Sequence, residues 1–424
     1  MYQTIIIGGG PSGLMAAVAA SSNSNQVLIL EKKKGLGRKL KISGGGRCNV
    51  TNRLPYAEII KNIPGNGKFL YSPFSIFDNE SIIEFFEDRG VKLKEEDHGR
   101  MFPVSNKAQD VVDTLVSTIN EQQVTVKEET AVTHLSVNED GIFKVETAQQ
   151  IYEAMSVIIT TGGTSVPQTG STGDGYQFAK SLGHSITELF PTEVPITSPE
   201  RFIKDKTLKG LSLKDVELSV LKKNGKKRIS HQMDMIFTHF GVSGPAALRC
   251  SQFVYKEQKN QKKKEILMSL DAFPELNQEE LTQQIRRMLK DEPDKFIKNS
   301  LHGLIEERYL LFILEQANID NETTSHHLSN QQLNTIVNLL KGFTFKVNGT
   351  LPIDKAFVTG GGVSLKEIEP KTMMSKLVPG LFLCGEVLDI HGYTGGYNIT
   401  SALVTGHVAG LNAGKHKSCL LYTS

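Results

Sequence analysis

Cysteine is scarce in this sequence and follows no pairing pattern. Cys48, Cys250, Cys384 and Cys419 lie far apart, with no C-x-x-C among them. That spacing argues against both a disulfide scaffold and a zinc site. No uninterrupted apolar run approaches the roughly 18 residues that a membrane span needs. The opening MYQTIIIGGG has neither the basic nor the apolar region of a signal peptide. The expectation is a soluble, cytoplasmic protein. An excess of one charge is lacking too: the formal net charge is +2, so no global field drives the molecule onto nucleic acid or membrane. Any such partner must use local patches. There are no internal repeats, and G-x-x-x-x-G-K-[ST] does not occur, which removes a P-loop. What remains is a globular composition, 39% hydrophobic and 22% charged, with 38 glycines in 424 residues. A chain of that length predicts two or three domains.

The first residues, YQTIIIGGGPSGLMAAVAASSNSNQVLILE, read as strand, tight turn, helix and second strand. Ile5, Ile6 and Ile7 form a β-branched run suited to a buried parallel strand. Gly8, Gly10 and Gly13 supply G-x-G-x-x-G: one permits the turn, one lets backbone approach a pyrophosphate, one packs helix on strand. Pro11 and Ser12 open a small-residue helix whose N–H groups and partial positive charge face phosphates. Glu31 ends the second strand, 18 residues past Gly13, where an acid accepts hydrogen bonds from a ribose; Lys32 follows it. A dinucleotide is the expected ligand.

Two later segments resemble flavoproteins of the two-dinucleotide-binding-domain type. The strand Val157 to Ile159 runs into Thr160-Thr161-Gly162-Gly163, as where such chains re-enter the FAD domain. Leu381 to Leu383 runs into Gly385-Glu386, then a glycine-rich turn with Gly396 and a second small-residue helix. The resemblance implies FAD, with an acid, either Glu386 or Asp389, on the ribityl chain. It sets Asn398 and Ile399, at the helix start, against the flavin's pyrimidine edge. It also gives a place to KISGGGRCNVTN, residues 41–52. In relatives of glutathione reductase and fumarate reductase, a Ser- and Gly-rich loop crosses the cofactor here. Ser43, Gly45, Gly46 and Asn49 would bring backbone N–H groups to it. Arg38, Lys39 and Arg47 would neutralise phosphates or a reduced flavin. Cys48 is either a nucleophile or a thiol packed beside the ring.

Taken together, GRKLKISGGGRCNVTN, GRMFPVSNKAQDVVDTL, TTGGTSVPQTGSTGDGY, FTHFGVSGPAAL and the stretch from VTGGGVS to GHVAG resemble the bacterial BaiN-like family. This family is also called aminoacetone-oxidase-type or HI0933-like. The resemblance, spanning residues 1 to about 412, implies an FAD-dependent oxidoreductase with an α/β, Rossmann-like FAD domain split over 1–190 and 343–412. It further implies an inserted β-barrel-like domain at 191–275, a helical subdomain at 276–342, and leaves a tail at 413–424. It does not imply one substrate: members carry out amine oxidation, steroid double-bond reduction, or uridine reduction in ribosomal RNA.

Within the insert, KDVELSVLKKNGKKRISHQ predicts a hairpin around Asn224-Gly225. LNQEELTQQIRRMLKDE, IEERYLLFILEQA and SNQQLNTIVNLLKGF carry helical spacing. The lysine-rich runs 222–228 and 256–265 are either solvated loops or contacts to an RNA backbone. Candidates for handling the substrate's proton are His239 and Ser243 on FTHFGVSGP, and His391, Tyr393 and Tyr397 on DIHGYTGGYN. His239 leads, because imidazole exchanges protons near neutral pH and its turn is flanked by glycine. Tyr393 and Tyr397 are read as donors or stacking platforms. No second G-x-G-x-x-G marks a separate nicotinamide domain, so NAD(P)H docked over the flavin and another donor stay equally open. The rival to an enzyme is an RNA- or partner-binding protein with structural FAD.

Overall fold

The computed structural model describes residues 1–24, 26–320 and 322–416. Cys419 and most of the tail lie outside them. The chain divides into two compact units, one of Met1–Phe190 with the segment from Ile353 onward, the other of Pro191–Pro352.

In the first unit, the isoleucine run forms the strand Tyr2–Ile7, whose last four residues are buried. It pairs in parallel with Val27–Leu30 on one side and Ile151–Ile159 on the other, Ile6 opposite Ile29 and Ile158. Thr125–Lys127 extends the sheet beyond the first partner, and Leu381–Leu383 pairs in parallel with the second. Parallel strands buried on both faces need helices over both. Helices Pro11–Ser21 and Tyr397–Ala413 supply one such cover, and they meet through small residues. A Cβ at Gly406 would overlap the Ser12 carbonyl, and one at Gly410 the Ala16 carbonyl. Ile7, Leu30, Ile159 and Leu383 all end at the same edge, so the loops that follow them converge there.

The second unit holds a seven-stranded sheet in which every pairing is antiparallel. Its order starts with Phe343–Val347 and ends with Gly349–Thr350. Asn348 alone separates these two edge strands, so the sheet curls into a barrel-like form. The hairpin forms where Asn224-Gly225 predicts it: Gly225 takes φ +78° and Lys222 N donates to Lys226 O at 2.8 Å. Helices Gln278–Asp291 and Asn330–Gly342 each begin with a capping box, Asn277 with Glu280 and Ser329 with Gln332. Two boundaries differ from the sequence reading. Residues 343–352 stay with the insert, because Phe343–Val347 pairs with Ile266–Asp271. The β and helical parts do not separate, since Leu281, Leu310 and Ile336 share one hydrophobic cluster with Leu218, Met268 and Phe345.

Candidate dinucleotide site

Where the parallel strands end, the first unit has a cavity of about 1220 Å³, its open mouth included. The three motif glycines meet it in three ways. Gly8, at φ +111°, is pressed against the Thr160 carbonyl; a Cβ would stand 2.9 Å from that oxygen. At Gly13 a Cβ would overlap the Gly8 carbonyl, so this glycine sets the helix on the strand. Gly10 lines the cavity, and a Cβ there would meet nothing within 4 Å. That open space is where a ligand can touch backbone.

Two helices point their N-termini at this space. Helix Pro11–Ser21 starts after Gly10 and helix Tyr397–Ala413 after Gly396, neither capped by a side chain. Pro11, Ser12, Asn398 and Ile399 line the cavity. Unsatisfied N–H groups and two dipoles favour an anionic or carbonyl-bearing ligand. Carboxylates stand beside them as acceptors for hydroxyl groups. Glu31 is fixed by N–H donors from Gly9 and Lys33, each at 2.8 Å. Glu386 accepts from Lys39 Nζ at 2.8 Å, Ser165 Oγ at 2.9 Å and Thr359 N at 2.8 Å. Burial alone would raise its pKa, yet Lys39 and these donors bring it below the usual carboxylate value. Glu386 is therefore ionised. Lys32 bonds Thr172 and Asp174 at the other side of the lining.

Of the ribityl candidates, Glu386 lines the cavity and Asp389 does not. Arg38, Lys39, Thr161, Gly162 and Gly385 are also in the lining. Gly163 is set back, packed against the Thr359 side chain. The Ser43–Gly46 loop stands outside the lining as well. Gly44, Gly45 and Gly46 are all left-handed and exposed, and open space surrounds Gly45 and Gly46. Ser43 Oγ is turned back onto Leu40 O at 2.7 Å. Arg47 corrects its phosphate role: it bonds Glu96 and Asn106 and lies 4.2 Å over the Phe102 ring. Cys48 corrects the nucleophile. It is 0% exposed, and burial pushes its thiol up to about 12, so it stays protonated and unreactive. Asn49 is buried with Oδ1 unpartnered.

The substrate-side candidates are divided between the two units. His239 is exposed on the Thr238–Phe240 turn of the second unit. Ser243 follows in the short strand Gly241–Ser243. His391 is buried edge-on against Phe190, ring centroids 5.4 Å apart. Tyr393 and Tyr397 are 6% and 2% exposed, so neither offers a free stacking face. Residues that the sequence reading missed include Thr130 and Val132, which enter the lining from the start of the strand Val132–Val137 and the segment before it, where no motif marks them. Ser171 and Asp174 lay within the quoted GSTGDG, whose glycines and acid were the signal to follow.

A cavity with one unfilled glycine face, two uncapped helix N-termini and two placed carboxylates fits a dinucleotide such as FAD. The profile described as "HI0933-like protein Rossmann domain" matches residues 2–412. The chain belongs to the HI0933-like family. It is an FAD-dependent oxidoreductase. Over 97% of its length it is 29% identical to a 3-dehydro-bile acid delta(4,6)-reductase of Clostridium scindens, covering 98% of that protein. It is equally 29% identical to a ribosomal RNA dihydrouridine synthase of Haemophilus influenzae, with the same coverage of both. Among solved structures, a flavocytochrome c3 fumarate reductase superposes with a TM-score of 0.51 at 18% identity. That match covers 98% of this HI0933-like chain and 78% of the other. No helix of the described residues is long and apolar enough to cross a membrane.

Proposed function

We propose that the protein reduces a uridine of ribosomal RNA to dihydrouridine, drawing electrons from NAD(P)H. The observation that carries the redox half is Gly10 facing open space at the start of an uncapped helix. When bound there, FAD supplies a hydride, and the substrate takes up that hydride and one proton. The chain's own residues do the rest. The two helix N-termini would bind the cofactor's pyrophosphate and the polar edge of its ring, Glu31 would accept from its ribose, and Glu386 would accept from its ribityl hydroxyls. His239 is our proton donor. The base must leave its stack to react, at a cost of a few kcal/mol. Two relatives named as ribosomal RNA dihydrouridine synthases support this substrate, and such a substrate places the protein in the cytoplasm.

The equal similarity to a bile acid reductase favours one second reading, reduction of a small enone. Dihydrouridine in ribosomal RNA, measured with and without the gene, separates the two. Loss on deletion supports the RNA substrate; an unchanged level overturns it in favour of the small molecule. Anaerobic bleaching of the flavin by NADPH or NADH tests the electron donor, and a flavin that stays oxidised with both overturns that assignment.

A further inference from the structure

The lysine-rich runs at 222–228 and 256–265 are separate in sequence but adjoin in the folded insert. The first is the tip of the hairpin made by Ser212–Leu221 and Lys227–Phe237. The second closes the helix Pro245–Gln261 and leads into the strand Ile266–Asp271. That strand runs antiparallel to the hairpin's first strand, with Val220 opposite Met268. Antiparallel pairing brings the start of one strand to the end of the other, so Lys264 comes beside Lys222 and Lys223. One side chain ties the second run to the hairpin, and another folds the turn back onto its own helix. Gln261 Nε2 donates to Leu221 O at 3.4 Å, and Gln258 Nε2 donates to the Lys264 carbonyl. Neighbouring strands lie about 4.8 Å apart. Cations from both runs therefore share one edge.

The ion pairs narrow which of them are available. Glu217 holds Lys227, and Lys346 lies 3.7 Å from Glu265. Among the described residues, no ion pair engages Lys222, Lys223, Lys226 or Arg228 on the hairpin, and all four are exposed. The same holds for Lys262, Lys263 and Lys264 on the turn. Neither KKNGKKR nor KNQKKKE contains an aromatic residue. Cations without aromatic planes neutralise phosphates and hold register, but do not read bases. A membrane surface would require an apolar face beside the charge. Leu267 is the one exposed large apolar side chain next to these runs among the described residues.

We propose that the two runs form a single docking surface for the phosphodiester backbone of a folded RNA. This rests on the ribosomal RNA reading above and adds where the polyanion is held. The surface fixes the RNA without regard to sequence, leaving selection of the uridine to the redox site.

The test uses the full FAD-loaded chain and two triple variants, Lys222→Ser/Lys223→Ser/Lys226→Ser and Lys262→Ser/Lys263→Ser/Lys264→Ser, alone and combined. Binding of a fluorescein-labelled ribosomal RNA fragment is followed by anisotropy between about 50 and 200 mM salt. Each triple variant should weaken binding and flatten the log–log salt slope by about 0.7–0.9 for each phosphate no longer neutralised. The combined variant should flatten it further, with flavin content unchanged throughout. Wild-type affinity and slope in either triple variant overturn the single surface. Tighter binding of the wild type to phosphatidylserine vesicles than to the RNA overturns it in favour of a membrane. Because the readout is binding, it stands apart from the dihydrouridine assay. A deletion strain with unchanged dihydrouridine refutes the substrate, whereas variants that keep the wild-type salt dependence refute the surface.

Discussion

Lys39 Nζ lies 2.8 Å from Glu386 Oε2 across 347 residues of sequence, and both side chains line the dinucleotide cavity. Ser165 Oγ sits between them, 2.7 Å from the lysine and 2.9 Å from the other carboxylate oxygen. Only 20% of the Glu386 side chain is exposed, so burial works against its charge, and Lys39 is the largest influence opposing that. The lysine keeps a hydroxyl acceptor charged where water is scarce.

The pair predicts how cofactor affinity responds to acid. With Lys39 present, the Glu386 pKa is held down and its carboxylate persists at mildly acidic pH. In Lys39→Met, burial is left unopposed by that charge and the pKa rises. FAD affinity of the variant should be lower by about 1–3 kcal/mol and should fall further as pH drops from 8 towards about 5. Flavin fluorescence titrations at several pH values measure this. A variant whose affinity stays flat with pH would remove Lys39 from the role.

Glycine substitutions should divide by what each glycine faces. Gly10→Val places a side chain in open space, so the apoprotein should fold and fail to bind FAD. Gly410→Val drives a side chain into the Ala16 carbonyl and should destabilise the fold itself, by more than the roughly 4 kcal/mol that marks severe cases. Circular dichroism melting and flavin content, read on both variants, distinguish the outcomes. A yellow Gly10→Val protein would end the assignment of this cavity.

His239→Ala tests the proton donor. The residue is exposed on a turn, so stability and FAD content should be unaffected. Turnover should drop by about 10²–10⁴-fold, while reduction of the flavin by its electron donor is nearly unchanged. Equal turnover of wild type and variant would return the proton to another group.

His407 should limit stability on the acid side. Its ring stacks on Phe77 with centroids 4.0 Å apart and planes within 8°, and burial lowers its pKa from 6.5 to about 4. The folded value is the depressed one, so the stabilisation is complete above 6.5 and is lost as pH falls towards 4. The full effect is on the order of 3 kcal/mol. His407→Phe keeps a stacked ring without a titrating group, and its melting temperature should fall less than that of wild type between pH 6.5 and 4.5. Parallel loss in both proteins would assign the acid sensitivity elsewhere, with half-buried His231 the next group to examine.

What the sequence determined by itself was local. The isoleucine run, the three spaced glycines and Glu31 lie within a single strand–helix–strand unit, where backbone sterics and side-chain periodicity decide the form. The Asn224-Gly225 hairpin was legible for the same reason, since its turn needs left-handed backbone that glycine supplies. Tertiary structure decided what depends on distant partners. Which of Glu386 and Asp389 faces the cavity follows from how Leu381–Leu383 joins the sheet and where Lys39 meets it. Arg47 turned to Glu96 rather than to phosphate, and Cys48 lost its reactivity to burial; no neighbouring residue announces either. Strand Phe343–Val347 stayed with the insert because its hydrogen-bond partner, Ile266–Asp271, lies there. The two lysine runs became neighbours through strand pairing alone. Motifs reach only as far as the chain's local geometry, whereas charge, burial and register are set by whatever the folded chain brings alongside.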